Sequence, residues 1–118
     1  MGFLYYGNYA LYYEVGRTQM IRELGLSYKE METAGILMPV TDLKVKYIRP
    51  ALYDDLITVK TMLKEWPNQK IVFDSALYNE QGELLNIGAT TLVFLDAVTR
   101  KKLPDVPDIL ADRLRPYF

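Results

Sequence analysis

Few side chains in this chain are equipped for chemistry. Histidine and cysteine are both absent. Their absence removes the Ser-His-Asp arrangement, a thiolate nucleophile, disulfides and most zinc sites. Any catalysis falls to carboxylates, hydroxyls, amines or backbone amides. The densest stretch is Tyr5-Tyr6-Gly7-Asn8-Tyr9, followed by Glu14 and Arg17. If a helix begins there, its free amides and dipole can stabilise negative charge developing on a carbonyl oxygen. Glu14 is the acidic side chain of the helix interior. It is either a catalytic carboxylate or the i+3 ion-pair partner of Arg17. Asp54-Asp55 reads as a solvated strand start. Arg100-Lys101-Lys102 follows a strand end; it could meet phosphates or form a solvated charged turn. Tyr5, Tyr6 and Tyr9 are read as core or interface rings before catalytic phenols. Gly7 is read as a backbone-shape residue that would also admit a ligand.

The element that must position these groups is one long helix. Asn8 can cap it, and Gly25 suits a left-handed stop. Tyr9, Tyr13, Gly16, Met20 and Leu24 step by three or four along one stripe, which Leu11, Val15 and Ile21 widen. A helix apolar on so much of its circumference is buried, and a sheet wrapped around it is the simplest container. Gly16 is expected where the helix crosses the sheet closely, opposite Gly88 or Ala89.

Length and composition bound the rest. A chain of 118 residues makes one domain, spanning 1–118. Half its residues are apolar and the net charge is −1, which leaves no electrostatic footprint for nucleic acid. No apolar run is long enough to span a bilayer, and no basic region follows Met1 as in a signal peptide. A cytoplasmic location is the default expectation. Ten tyrosines suit a sheet-rich core or a subunit interface.

Ser27 and Glu30 form a capping box that predicts a short helix to about Thr33, stopped near Gly35. Alternation predicts a strand over 38–48, with Leu43, Val45 and Tyr47 on one face and Asp42, Lys44 and Lys46 on the other. Pro50 lies in a connection. Further strands are predicted over 56–66, 70–78 and 83–96, the last apolar on both faces. Pro107 opens a final short helix over 107–114. Consecutive strands joined by short turns pair antiparallel, so the class is α+β: an antiparallel sheet curled around a helix.

These residues carry a resemblance. Gly2-x-x-Tyr5-Tyr6-Gly7-Asn8-Tyr9, then Tyr13-Glu14-x-x-Arg17, resembles the hotdog-fold acyl-CoA thioesterases of the 4-hydroxybenzoyl-CoA thioesterase type. Gly25-Leu26-Ser27-Tyr28, Arg49-Pro50-Ala51 and Tyr53-Asp54-Asp55 continue it. The resemblance implies a sheet wrapped around the long helix, homodimers often paired into homotetramers, and metal-free hydrolysis of an acyl-CoA thioester. Coenzyme A is then part of the substrate and no cofactor is implied. A backbone amide matching Tyr6 would bind the thioester oxygen, with Gly7 and Asn8 shaping the site. Arg100, Lys101 and Lys102 would meet the CoA phosphates. The family's catalytic Asp would fall two places before Met1, and its first strand earlier still. Residues 1–118 alone are then expected to turn over acyl-CoA weakly or not at all, with an upstream carboxylate restoring turnover. Glu14 is the candidate to stand in, about 9 Å along the helix from its start.

Two functions follow from different classes. The first is a thioesterase for a small or medium acyl-CoA. The second is a non-catalytic hotdog domain that binds acyl thioesters or serves in assembly. A hotdog dehydratase is weaker, because it would need a histidine paired with an acid. An obligate dimer or a tetramer is expected from the apolar strand set, with the site at the subunit interface.

Overall fold

The long helical pattern folds as α1, Gly7–Glu23. The structure is a computed structural model and describes residues 7–52 and 56–118. Asn8 lies inside the first turn of α1 and not ahead of it, so the cap position falls outside the described residues. The helix ends as predicted. Gly25 takes φ +83, the Leu26 amide donates to the Ile21 carbonyl at 3.1 Å, and the Gly25 amide donates to the Arg22 carbonyl at 2.9 Å. This pair of bonds closes a Schellman motif, which only an unhindered left-handed residue permits.

One expectation about α1 is corrected. Ile21 is buried, but Leu11 and Val15 are 58% and 64% exposed. The stripe that meets the sheet is Tyr9, Tyr13, Gly16-Arg17 and Ile21, at steps of three and four. Leu11 and Val15 fall on the opposite side. A second helix, α2, spans Tyr28–Thr33, and the Ser27 hydroxyl accepts the Glu30 amide at 3.1 Å.

The strand order explains why the chain can wrap a helix. Strand β1 (Ile36–Leu37) and β2 (Val40–Tyr47) together replace the single strand expected over 38–48. Then come β3 (Thr58–Met62), β4 (Lys70–Tyr78), β5 (Leu84–Val93) and β6 (Leu95–Asp96). The main sheet runs β2-β5-β4-β3, all antiparallel, and β1 pairs with β6. Consecutive strands pair at β3–β4 and β4–β5, but β2 and β3 lie at opposite edges. The connection through Pro50 therefore crosses the width of the sheet, about 14 Å at three strand spacings.

Register assigns the two faces. Across the sheet, Val45, Gly88 and Ser75 share one row, as do Lys44, Ala89, Asp74 and Met62. The first row faces α1, because a Cβ on Gly88 would stand 2.5 Å from the Tyr13 ring. The second row faces away. The predicted faces of β2 are therefore correct, and Ala89 is on the far side from the helix. Gly16 does mark a close crossing, but over β3: a Cβ there would lie 2.1 Å from Thr61 Oγ1 and 2.9 Å from Val59 Cγ1. Gly88 instead accommodates Tyr13.

Strand β5 is less apolar than predicted. Its helix-facing side carries Asn86, Gly88 and Thr90. Two core clusters result. One joins Ile21, Leu26, Met31, Phe73 and Phe94 to helix α3 (Asp108–Leu114) through Leu110 and Leu114. The other joins Tyr9, Tyr13, Ala51, Leu77 and Leu85 under the start of α1. Each fully buried aliphatic or Phe side chain contributes about 1.5–3 kcal/mol. Pro107 precedes α3, and a 3-10 turn, Arg115–Tyr117, follows it. No described helix is long and apolar enough to cross a membrane.

Candidate active site

The start of α1 brings backbone amides and buried phenols together. The first amides of any helix have no partner within it, and in α1 these include Gly7 and Asn8. Tyr9, in the first turn, and Tyr13, about one turn further on, point into the sheet and are 1% and 0% exposed. The Tyr13 hydroxyl donates to Asn86 Oδ1 on β5. Burial pushes the Tyr13 phenol up to about 12, with smaller contributions from the Tyr47 and Tyr9 phenols. Tyr13 is therefore a neutral donor across the physiological range and not a base. The Ala51 amide donates to the Tyr9 hydroxyl at 3.4 Å, which ties the crossing connection to the helix. The Tyr9 ring lies 5.5 Å from that of Tyr47, tilted by 49°.

Beneath these rings the sheet carries polar groups beside the apolar Leu77 and Leu85. Asn86 Nδ2, Ser75 Oγ and Thr90 Oγ1 are buried, with no hydrogen-bond partner among the described residues. A buried amide group without a partner costs about 1–3 kcal/mol, so this floor trades stability for polarity. Asn86, near the start of a strand read as apolar on both faces, was the signal that could have revealed it.

The candidate residues are not all brought to one place. Tyr6 lies outside the described residues, as do Tyr53, Asp54 and Asp55. Glu14 is exposed on the outer side of α1, in a hollow of about 320 Å³ shared with Val15, Thr18, Gln19 and Arg22. Its expected pairing with Arg17 is not formed among the described residues. Arg17 instead turns inward, is 8% exposed, and stands close to Tyr28. Burial raises the Tyr28 phenol, the Arg17 charge opposes that rise, and Glu14 adds to it. Arg17 departs from the i+3 pairing because its stem lies on the buried stripe.

Arg100, Lys101 and Lys102 are exposed on the turn after β6. Asp96 holds that turn, accepting the Val98 and Thr99 amides at 2.8 and 2.9 Å, which keeps its carboxyl below the usual range. Leu103, next in sequence, packs on the cluster that contains Ile21. The basic run thus belongs to the far end of α1 from Gly7 within one chain. Among the described residues no three acidic side chains gather as a metal would require.

A long helix held in a curled antiparallel sheet, with free amides at its start over a polar floor, defines a hotdog-type domain. The sequence pattern of the Thioesterase-like superfamily matches residues 1–114. YneP of Bacillus subtilis strain 168 is 34% identical over 111 residues, covering 89% of this chain and 80% of that protein. The acyl-CoA thioester hydrolase YbgC of Escherichia coli O6:H1 is 27% identical over 100 residues, 85% of this chain and 75% of that one. The crystal structure of a DHNA-CoA thioesterase from Staphylococcus aureus superposes with a TM-score of 0.82 at 37% identity, over 100% of this chain and 73% of that chain. The chain belongs to the Thioesterase-like superfamily, and the resemblance carried by the helix-start motif is borne out.

Proposed function

We propose that this protein hydrolyses a small or medium acyl-CoA thioester at the start of α1. The observation that carries the reading is the start of α1, whose first amides have no partner within the helix, in a chain 37% identical to a DHNA-CoA thioesterase. The thioester oxygen is held by the amide at Tyr6, supported by Gly7 and Asn8. Water attacks the carbonyl carbon, a carboxylate takes its proton, the C–S bond breaks, and the thiol leaves with a proton. A positioned general base contributes about 100- to 10,000-fold. No residue among 1–118 matches the motif's Asp, and Glu14 faces away from the sheet. Arg100, Lys101 and Lys102 serve the CoA phosphates, in this reading, from a neighbouring subunit.

Assembly is part of the proposal. Leu11, Val15, Leu43, Tyr47 and Ile48 are between 42% and 64% exposed, along the open side of α1 and edge strand β2. So much apolar surface suits a subunit interface, and a homodimer or homotetramer would cover it. Sedimentation at micromolar concentration is expected to show a dimer or larger; monomer alone would contradict this.

Thiol release from short, branched and aromatic acyl-CoAs tests the activity. Three proteins are compared: residues 1–118, the same with Glu14→Gln, and versions extended upstream to include any Asp. Turnover that requires the extension supports the proposal. Turnover by residues 1–118 that is lost in Glu14→Gln moves the base to Glu14. An extended, folded protein without turnover favours the reading as a binding domain.

A further inference from the structure

The face of the sheet turned away from α1 holds a groove that hydrolysis at the helix start does not use. Its rows are set by register. Lys44, Ala89, Asp74 and Met62 lie side by side, and Lys46, Ile87, Ala76 and Lys60 form the next row. Small residues in the two central strands leave a hollow of about 330 Å³ between lysine rims. A second hollow of about 340 Å³ adjoins it, shares Lys64 and Asp74, and runs to Lys70 and Trp66. Four lysines, at 44, 46, 64 and 70, thus line the pair of hollows against the carboxylates of Glu65 and Asp74. The chain as a whole carries −1, so the positive excess is local. Among the described residues none of these lysines is in an ion pair.

Trp66 is 39% exposed, and its ring is braced edge-on by Phe118 at 5.5 Å. An indole fixed from one side and open on the other is a stacking surface for a flat ring. Lysines are donors for phosphate oxygens, and Asp74 is an acceptor for ribose hydroxyls. We propose that this groove binds a nucleoside diphosphate, with its base on Trp66 and its phosphates toward Lys44, Lys46 and Lys64. A second copy of the chain stacked on this face would set lysines against lysines, which disfavours it.

Trp66 is the only tryptophan, so its fluorescence reports on the groove directly. Titration of the whole chain with ADP is expected to quench it saturably, and less at high salt. Lys46→Glu and Lys64→Glu, both at exposed positions, should each weaken binding by roughly tenfold or more. Lys29→Glu makes the same charge change on α2 and should bind as the parent does. Melting curves confirm that each variant is folded. Coenzyme A and pantetheine separate the sources. Quenching by ADP and coenzyme A but not pantetheine moves the CoA phosphates of the proposed reaction from Arg100, Lys101 and Lys102 to this groove, and quenching by ADP alone assigns it to a free nucleotide. The proposal is overturned by no saturable quenching or by equal affinity in Lys64→Glu. It is also overturned if Trp66 is shielded by self-association and unmoved by ADP.

Discussion

The two ends of α1 are built differently. Around Ile21 the helix meets Leu26, Met31, Phe73, Phe94 and Leu110, all apolar and all within 3% of full burial. Around Tyr9 and Tyr13 it meets Leu77 and Leu85 but also Asn86 and Gly88, and Asn86 Nδ2 and the neighbouring Ser75 Oγ are buried with no hydrogen-bond partner among the described residues. The first end is apolar except for the polar groups of Arg17 and Tyr28 at its side. The second gives up stability to keep polar groups under the helix start. Burying unspent polarity where a helix opens its free amides is how a domain prepares a site for a charged transition state. The far end then supplies the stability that the site gives away.

Phe94→Ala breaks the apolar end and should have the largest effect. It leaves a cavity in a fully buried position and is expected to cost about 3–5 kcal/mol in urea unfolding. Gly16→Leu attacks the crossing between the two ends. Its side chain would drive into Thr61 and Val59, and destabilisation of about 1–3 kcal/mol or more is expected. Unchanged thermal and urea midpoints would show that Gly16 faces open space. Tyr13→Phe removes the donor to Asn86 and strands a buried acceptor, at about 1–3 kcal/mol. If the comparison holds, Tyr13→Phe lowers turnover in an active form of the protein, whereas Phe94→Ala, assayed at a temperature where it is folded, does not.

The smallest effect is a pH dependence. The Tyr13 phenol is raised from 10.0 to about 12 in the folded chain. Below pH 10 both states keep the proton. As pH climbs from about 10 toward 12, the unfolded chain loses its proton before the folded chain does, so stability falls across that window. Tyr28 is raised too and adds in the same direction. Urea midpoints should hold from pH 8 to about 10 and fall above it, less steeply in Tyr13→Phe. An identical slope in the variant would show that Tyr13 does not control it.

Much of this architecture is legible in local patterns. Steps of three and four place Tyr9, Tyr13 and Gly16 on the stripe that meets the sheet, while Met20 and Leu24 from the same series are only half-buried; Gly25 marks the helix stop, and alternation fixes the two faces of β2. Strand order is not local, so nothing in the connection through Pro50 indicates that β2 pairs with β5 while β3 takes the opposite edge. For the same reason Gly16 and Gly88 look like one crossing and are two. Leu11 and Val15 read as core because periodicity counts apolar residues without showing which surface another chain would cover. Arg17 looks like an exposed ion-pair partner, since i+3 spacing ignores which side of the helix is buried. Asn86 reads as a minor irregularity until Tyr13 is seen to reach it.

The central claim is that a backbone amide at the start of α1 holds the thioester oxygen. The most direct measurement is kcat for acyl-CoA hydrolysis in Tyr6→Pro and Tyr6→Phe, made in a turnover-competent form of the protein. Proline removes the N–H, and phenylalanine keeps the N–H and removes only the hydroxyl. The account predicts that Tyr6→Pro lowers kcat by roughly 100-fold or more while folding normally, and that Tyr6→Phe stays near the parent rate. Equal rates in the two variants would contradict it.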